Sequence, residues 1–193
     1  MSTWCCVNQG NSKIEVVFDK NWFEPHETAL AHVNLHNEHC NVRMQNVTLA
    51  VEQHLRLNAD GHHFSHVYTL TQSSQDGVDA RHAEVAHRTL NVNLSSIRYN
   101  APTERKVKGQ MKPLSKEDIF MIQNIQPACH AHHLTNEYFL VVKTSFEGCT
   151  CCASLPHAKI PLNIVPVINP ECYGFQVPGD FHPTTYQAYS FTI

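Results

Sequence analysis

The stretch HETALAHVNLHNEHC, His26–Cys40, packs four histidines and one cysteine into fifteen residues and admits two readings, a metal site or a strand. Spacing separates them. From Ala29 to His36 apolar and polar residues alternate: Ala29, Ala31, Val33 and Leu35 share one face of an extended chain, and His32, Asn34 and His36 share the other. On a strand His32 and His36 stand roughly 13 Å apart, at ~3.3 Å per residue, too far to hold one metal ion between them. A half-buried β-strand with histidine on its wet face is therefore expected. His36, His39 and Cys40 gather where that strand meets a turn, and zinc is the alternative there.

The same period recurs outward from this segment. Ile14, Val16 and Phe18 share a face, as do Val47, Leu49, Val51, Leu55 and Leu57, with Gln53 the one polar interruption. A further strand over Phe64–Gln72 follows Asp60-Gly61, a hairpin signal. Leu90, Val92 and Leu94 form another apolar set; Tyr138, Leu140, Val142 and Phe146 the next; Ile160, Leu162 and Ile164 the last. Some seven strands separated by turn chemistry predict an all-β, antiparallel, immunoglobulin-like β-sandwich. The expected division is a lead-in over 1–12, the sandwich over 13–166 and a tail over 167–193.

Helix chemistry is confined to KPLSKEDIFMIQNIQP, where Ser115 and Asp118 resemble a capping box and Pro127 limits the end. It falls within a long loop, about 98–126, that collects basic residues. Arg105, Lys106, Lys108 and Lys112 are the group expected to meet an anionic surface or partner.

The chain has 193 residues and a net charge of -3, so no global field marks it as a nucleic-acid binder. Its opening lacks a basic n-region and an apolar h-region, and no apolar run is long enough to span a bilayer. A cytoplasmic protein, not transmembrane and at most peripheral to membranes, is the expectation. Eight cysteines bunch irregularly, which favours reduced thiols over a disulfide framework. Cys149, Cys151, Cys152 and His157 form a donor set that zinc accepts, without the usual knuckle spacing; a plain loop with no metal is the preferred reading. Cys129 beside His130, His132 and His133 superficially offers a nucleophile and a base. Neighbours on an extended chain point to opposite faces, however, so no catalytic residues are assigned and no cofactor is expected. Fifteen histidines against fourteen lysines and arginines predict a charge that rises in mild acid, where imidazole as a class titrates.

WCCVNQGNSKIEVVFDKNWFEPHETALAHVNLHN resembles the opening of the C-terminal arrestin domain, with Lys20, Phe23, Pro25, Glu27 and Asn37 on its Lys-x-x-aromatic-x-Pro-x-Glu turn and following strand. IQPACHAHHLTNEYFLVVKTSFEG and KIPLNIVPVINP are similar to later segments of that domain, in the same order. The turn departs from the family's usual pattern in carrying His26 where a glycine is common. The resemblance implies a non-enzymatic adaptor or scaffold that binds protein partners in membrane-protein trafficking or signalling, with anionic lipid headgroups a further partner. A structural subunit of a larger assembly, or a zinc-stabilised binding module, is the alternative. The family's Pro-Pro-x-Tyr tail motif is not matched by HPTTY, where Thr184 stands for the second proline. The tail is nonetheless rich in Tyr173, Phe175, Phe181, Tyr186, Tyr189 and Phe191, which are expected to dock on the sandwich or on a partner.

Overall fold

The computed structural model describes residues 8–99, 104–107, 110–116, 119, 123, 125–148, 153–165 and 191–192. Its strands are β1 (Lys13–Phe18), β2 (Trp22–Phe23), β3 (Thr28–His36), β4 (Met44–Ala59), β5 (His62–Asp76) and β6 (Ala83–Asn93). They continue as β7 (Glu104–Val107), β8 (Gln110–Pro113), β9 (Cys129–His130), β10 (Leu134–Phe146), β11 (His157–Ile164) and β12 (Phe191–Thr192). Two sheets face each other. The smaller runs β12-β1-β3-β6 and the larger β2-β11-β10-β4-β5, with β9 beside the start of β10.

The alternating residues build the core between them. Ala29, Ala31, Val33 and Leu35 of β3 have no exposed surface, and Val47, Leu49 and Val51 of β4 face them from the other sheet with none either. Asp60 and Gly61 both have positive φ, 48° and 80°, and Ala59 pairs with His62, so the expected two-residue hairpin turn joins β4 to β5.

The outer face of β3 is drier than its sequence suggests. His32 is partly exposed and reaches Asp19 at 2.9 Å, but Asn34 is buried. The register between β3 and β6 shifts after Val33, which bulges β6 over Asn34; the Asn34 amide oxygen then accepts from the His87 N–H at 3.1 Å. A bulge in a partner strand leaves no mark in the period of the strand it covers.

The family-like turn is a clasp. Lys20 Nζ lies 2.6 Å from Glu27 and 4.8 Å from the Phe23 ring centroid, and the other Glu27 oxygen accepts from the Glu24 N–H at 2.7 Å. Asn37, fully buried, donates from Nδ2 to the Val42 carbonyl at 2.9 Å and the Asp79 carbonyl at 3.0 Å, tying two loops to the end of β3. Pro161 pairs with Phe139 on β10, while β2 flanks β11 only at Asn163 and Ile164. It therefore sits on an open-edged part of its strand, where the missing N–H costs no ladder bond.

The basic segment is not a plain loop. β7 and β8 pair within it as a two-stranded ribbon of their own. Beyond them Lys116, Ile119 and Gln123 are helical, and the Ile119 N–H bonds the Ser115 carbonyl at 3.0 Å, so the short helix starts where its capping residue predicts.

Candidate interaction surfaces

β4 and β5 are much longer than their counterparts in the small sheet, and their shared hairpin overhangs it. Register carries one row across three strands: Leu134 pairs with Leu57, and Leu57 with Phe64. The row continues the core-facing side of β4, yet its members are 36%, 39% and 44% exposed. Tyr68 and His66 stand next along β5, with ring centroids 4.3 Å apart.

A polar cluster marks where the core stops. Gln53 donates to the Asn136 amide oxygen at 2.7 Å, and Asn136 donates to the Tyr138 hydroxyl at 2.9 Å. The Tyr99 hydroxyl donates to Gln53 at 3.3 Å. Burial, reinforced by Tyr138, pushes the Tyr99 phenol well above its ordinary range, so it stays a neutral donor. The one polar interruption in the β4 period is thus a satisfied hydrogen-bonding residue, which is what burial demands of it. Ile97 and Tyr99 also wall an open cleft of about 510 Å³ together with Gln53, Leu55, Tyr68 and Leu70. The segment carrying the basic ribbon leaves the sandwich at this cluster and returns to it, since the Asn136 amide also approaches the Pro127 carbonyl.

On the opposite face of the large sheet lies a charged network. Glu52 is only 6% exposed; one carboxylate oxygen binds Lys143 and the other lies 3.3 Å from His54 Nε2. Lys159 stands 3.7 Å above the Phe139 ring, which packs at a tilt against His54 with centroids 4.6 Å apart. Burial pushes the Glu52 carboxyl up, but the Lys143 ammonium and then His54 outweigh it, and the group titrates below the usual carboxylate range. A depressed folded value makes this contribution complete above the unfolded range of ~4.3 and lost as pH falls through the folded value. The stability gap between wild type and Glu52→Gln, from urea midpoints, is therefore expected to shrink between pH about 6 and pH about 3. A gap of constant size across that range would show that the network contributes nothing through charge.

Of the residues singled out in the sequence, Arg105 and Lys112 are directly opposite in the β7–β8 register, and Lys112 is exposed. Lys106 pairs with Met111, while Lys108 lies outside the described residues. Cys149, Cys151 and Cys152, and the tail aromatics Tyr173, Phe175, Phe181, Tyr186 and Tyr189, also lie outside them. Phe191 is placed in β12, where it pairs with Val16 of β1. His157 is exposed at the start of β11, its Nδ1 3.1 Å from the Leu155 carbonyl. Cys129 and His130 occupy consecutive positions of β9, opposite Asn136 and Thr135. Cys40 is buried in the core, His39 is exposed and His36 lies between Glu15 and Glu38, at 3.5 and 3.6 Å. Among the described residues no three metal-ligating side chains converge.

The overhang was not evident from the sequence. Its signal is length: the apolar period of β4 runs on to Leu57, further than a strand facing the nine residues of β3 can bury.

A sandwich of this topology, with a Lys20–Glu27 clasp and a buried Asn37, coincides with a family match over residues 8–169 to the arrestin (or S-antigen) C-terminal domain. The chain belongs to that family. Among solved structures it is similar to Spo0M, the sporulation control protein from Bacillus subtilis, at 9% identity and a TM-score of 0.44. That match covers 82% of this chain and 50% of the other, so the chain spans half the length of that protein. No curated protein sequence matches it. No helix among the described residues is long and apolar enough to cross a membrane.

Proposed function

We propose that the chain is a non-enzymatic adaptor or scaffold that binds protein partners by pairing an extended partner segment with the open edge of β5. β5 ends the larger sheet. Its second half is approached by β6 and the turn that follows it, through Gln75 to the Thr89 carbonyl at 3.0 Å and Thr71 to Ser96 at 3.0 Å. Along His62–Tyr68 no other backbone pairs with the edge among the described residues. This stretch has no lysine, no proline and no formal charge, the devices that usually blunt an edge. Such an edge offers a row of backbone donors and acceptors to an extended peptide, with alternate side chains setting specificity. The arrestin fold, typically non-catalytic, is consistent with binding rather than turnover.

Arg105, Lys106, Lys108 and Lys112 form the contact for an anionic surface, phosphoinositide headgroups included. The β7–β8 register sets Arg105 opposite Lys112, so two of the basic positions fall side by side along the ribbon. The aromatic tail supplies a second docking element, and the protein works in the cytoplasm, peripheral to membranes.

The test is Ser65→Lys with Val67→Lys, two substitutions on the exposed edge strand. The doubly substituted protein should keep its β-sheet circular dichroism and lose partners that co-purify with the native chain. Undiminished recovery of every such partner would sink the edge reading, and one permanent stoichiometric complex insensitive to the substitutions would favour a structural subunit.

A further inference from the structure

Building on edge pairing, on which this inference rests, we propose that the segment received by β5 is an extended peptide with apolar residues at alternate positions. One of those residues enters the cleft beneath Ile97 and Tyr99.

Backbone alternation fixes which side of an incoming strand meets the cleft. Ala59 and His62 flank a two-residue turn and pair directly, the position of a hydrogen-bonded pair. From there the register runs unbroken through Leu57–Phe64, Leu55–His66 and Gln53–Tyr68, which assigns these as the further bonded pairs. His63, Ser65 and Val67 therefore turn their N–H and C=O groups to the open edge. β4 shows the same phase, because Asn58, opposite His63, donates its N–H away from β5 to the His133 carbonyl at 2.9 Å. A peptide bonded to His63, Ser65 and Val67 sets every second side chain beside Phe64, His66 and Tyr68. In an antiparallel pair those are the non-hydrogen-bonded positions, where side chains approach most closely.

The face those side chains meet is largely apolar. Phe64 and Tyr68 are exposed there, and Leu57 and Leu134 extend the row. At Tyr68 the face deepens into the cleft of about 510 Å³, with Leu55, Tyr68 and Leu70 on one side and Ile97 and Tyr99 on the other. Gln53 is engaged with Asn136 and the Tyr99 hydroxyl, and Arg98 donates to the Ile97 carbonyl at 3.1 Å. An apolar side chain entering here leaves those bonds intact and removes ring and aliphatic surface from water; a charged one loses its hydration. A bulge marks where the segment stops. Thr69 pairs with Glu52 and Thr71 with Val51, so Leu70 is the extra residue, and the regular edge ends beside the cleft. The opposite edge of the larger sheet carries Lys159 and Pro161 on β11, which oppose such pairing.

The test is selection of a phage-displayed random peptide library on the full chain, followed by fluorescence anisotropy of the enriched peptides as labelled synthetic copies. Enriched sequences should share apolar residues two positions apart, and serine in their place should weaken binding by about tenfold or more. Tyr68→Ser in the protein should weaken it comparably. N-methylation of the peptide backbone, which removes donors and leaves the side chains, should abolish binding. Ser65→Lys with Val67→Lys reports on the edge and Tyr68→Ser on the cleft, because their side chains lie on opposite faces of β5. Peptides sensitive to N-methylation and to the lysine pair, yet indifferent to Tyr68→Ser and to loss of their apolar residues, would overturn the proposal and leave edge pairing standing. Peptides insensitive to N-methylation, or a library yielding none that the chain binds, would overturn both. The substitutions made in the peptide carry the test independently of the protein's folding, and circular dichroism of each protein variant separates lost binding from unfolding.

Discussion

Leu140→Ala is expected to lower the unfolding free energy by about 2–5 kcal/mol, the largest effect of any single side chain considered, while Leu57→Ala changes it by less than about 1 kcal/mol. Both are leucines on the core-facing side of adjacent strands. Leu140 sits mid-strand in β10, pairs with Val51 on one side and Ile160 on the other, and has no exposed surface. β10 lies between β11 and β4 in the larger sheet, so the backbone has little room to collapse into the space an alanine leaves. Leu57 has water on its core-side face already. Urea unfolding of the two variants checks the contrast directly; equal losses would mean that the overhang is packed like the core.

Asn37→Leu should cost about 3 kcal/mol, although asparagine and leucine differ little in size. The substitution strands the Val42 and Asp79 carbonyls that the Asn37 amide satisfies, in a site with no exposed surface. Each orphaned, part-buried acceptor costs up to roughly 1–3 kcal/mol, and the apolar gain of the leucine offsets part of that sum. Asn37 Oδ1 itself has no partner among the described residues, so the loss falls on the two loop carbonyls. Asn37→Asp, which keeps shape but removes the donor, should be at least as damaging near neutral pH. A midpoint for Asn37→Leu within experimental error of wild type would show that the loops are held by other contacts.

The two substitutions divide along the line of what was legible beforehand. That β3, β4, β10 and β11 are strands, and which side of each is apolar, follows from a period of two in their residues. The Asp60-Gly61 turn was legible for the same local reason, because only a few residues accept its positive φ. The site was legible only in part. The basic group was visible as composition, but its ribbon was not: Glu104–Val107 and Gln110–Pro113 are short, charged and without apolar alternation, so no period announced them. The histidines were visible as a count, and in the opening stretch as a pattern, but nothing local indicated that His63 and His133 both reach Asn58. They are joined by pairing between strands some seventy residues apart in the chain, as Asn58 to His133 illustrates.

Local chemistry therefore settled the elements of this protein: extended strands with one apolar side, a tight hairpin, a Lys20–Glu27 turn and a buried-asparagine strand end, all recognisable as an arrestin C-terminal domain. Packing decided where each apolar side stops being core. Leu49, Val51, Leu55 and Leu57 belong to one alternation, broken only by Gln53, yet the first two are sealed and the last is open. Alternation reports which way a side chain points, whereas burial depends on whether another layer lies opposite it. The small sheet ends before Leu57 does, and only the assembled sandwich contains that fact.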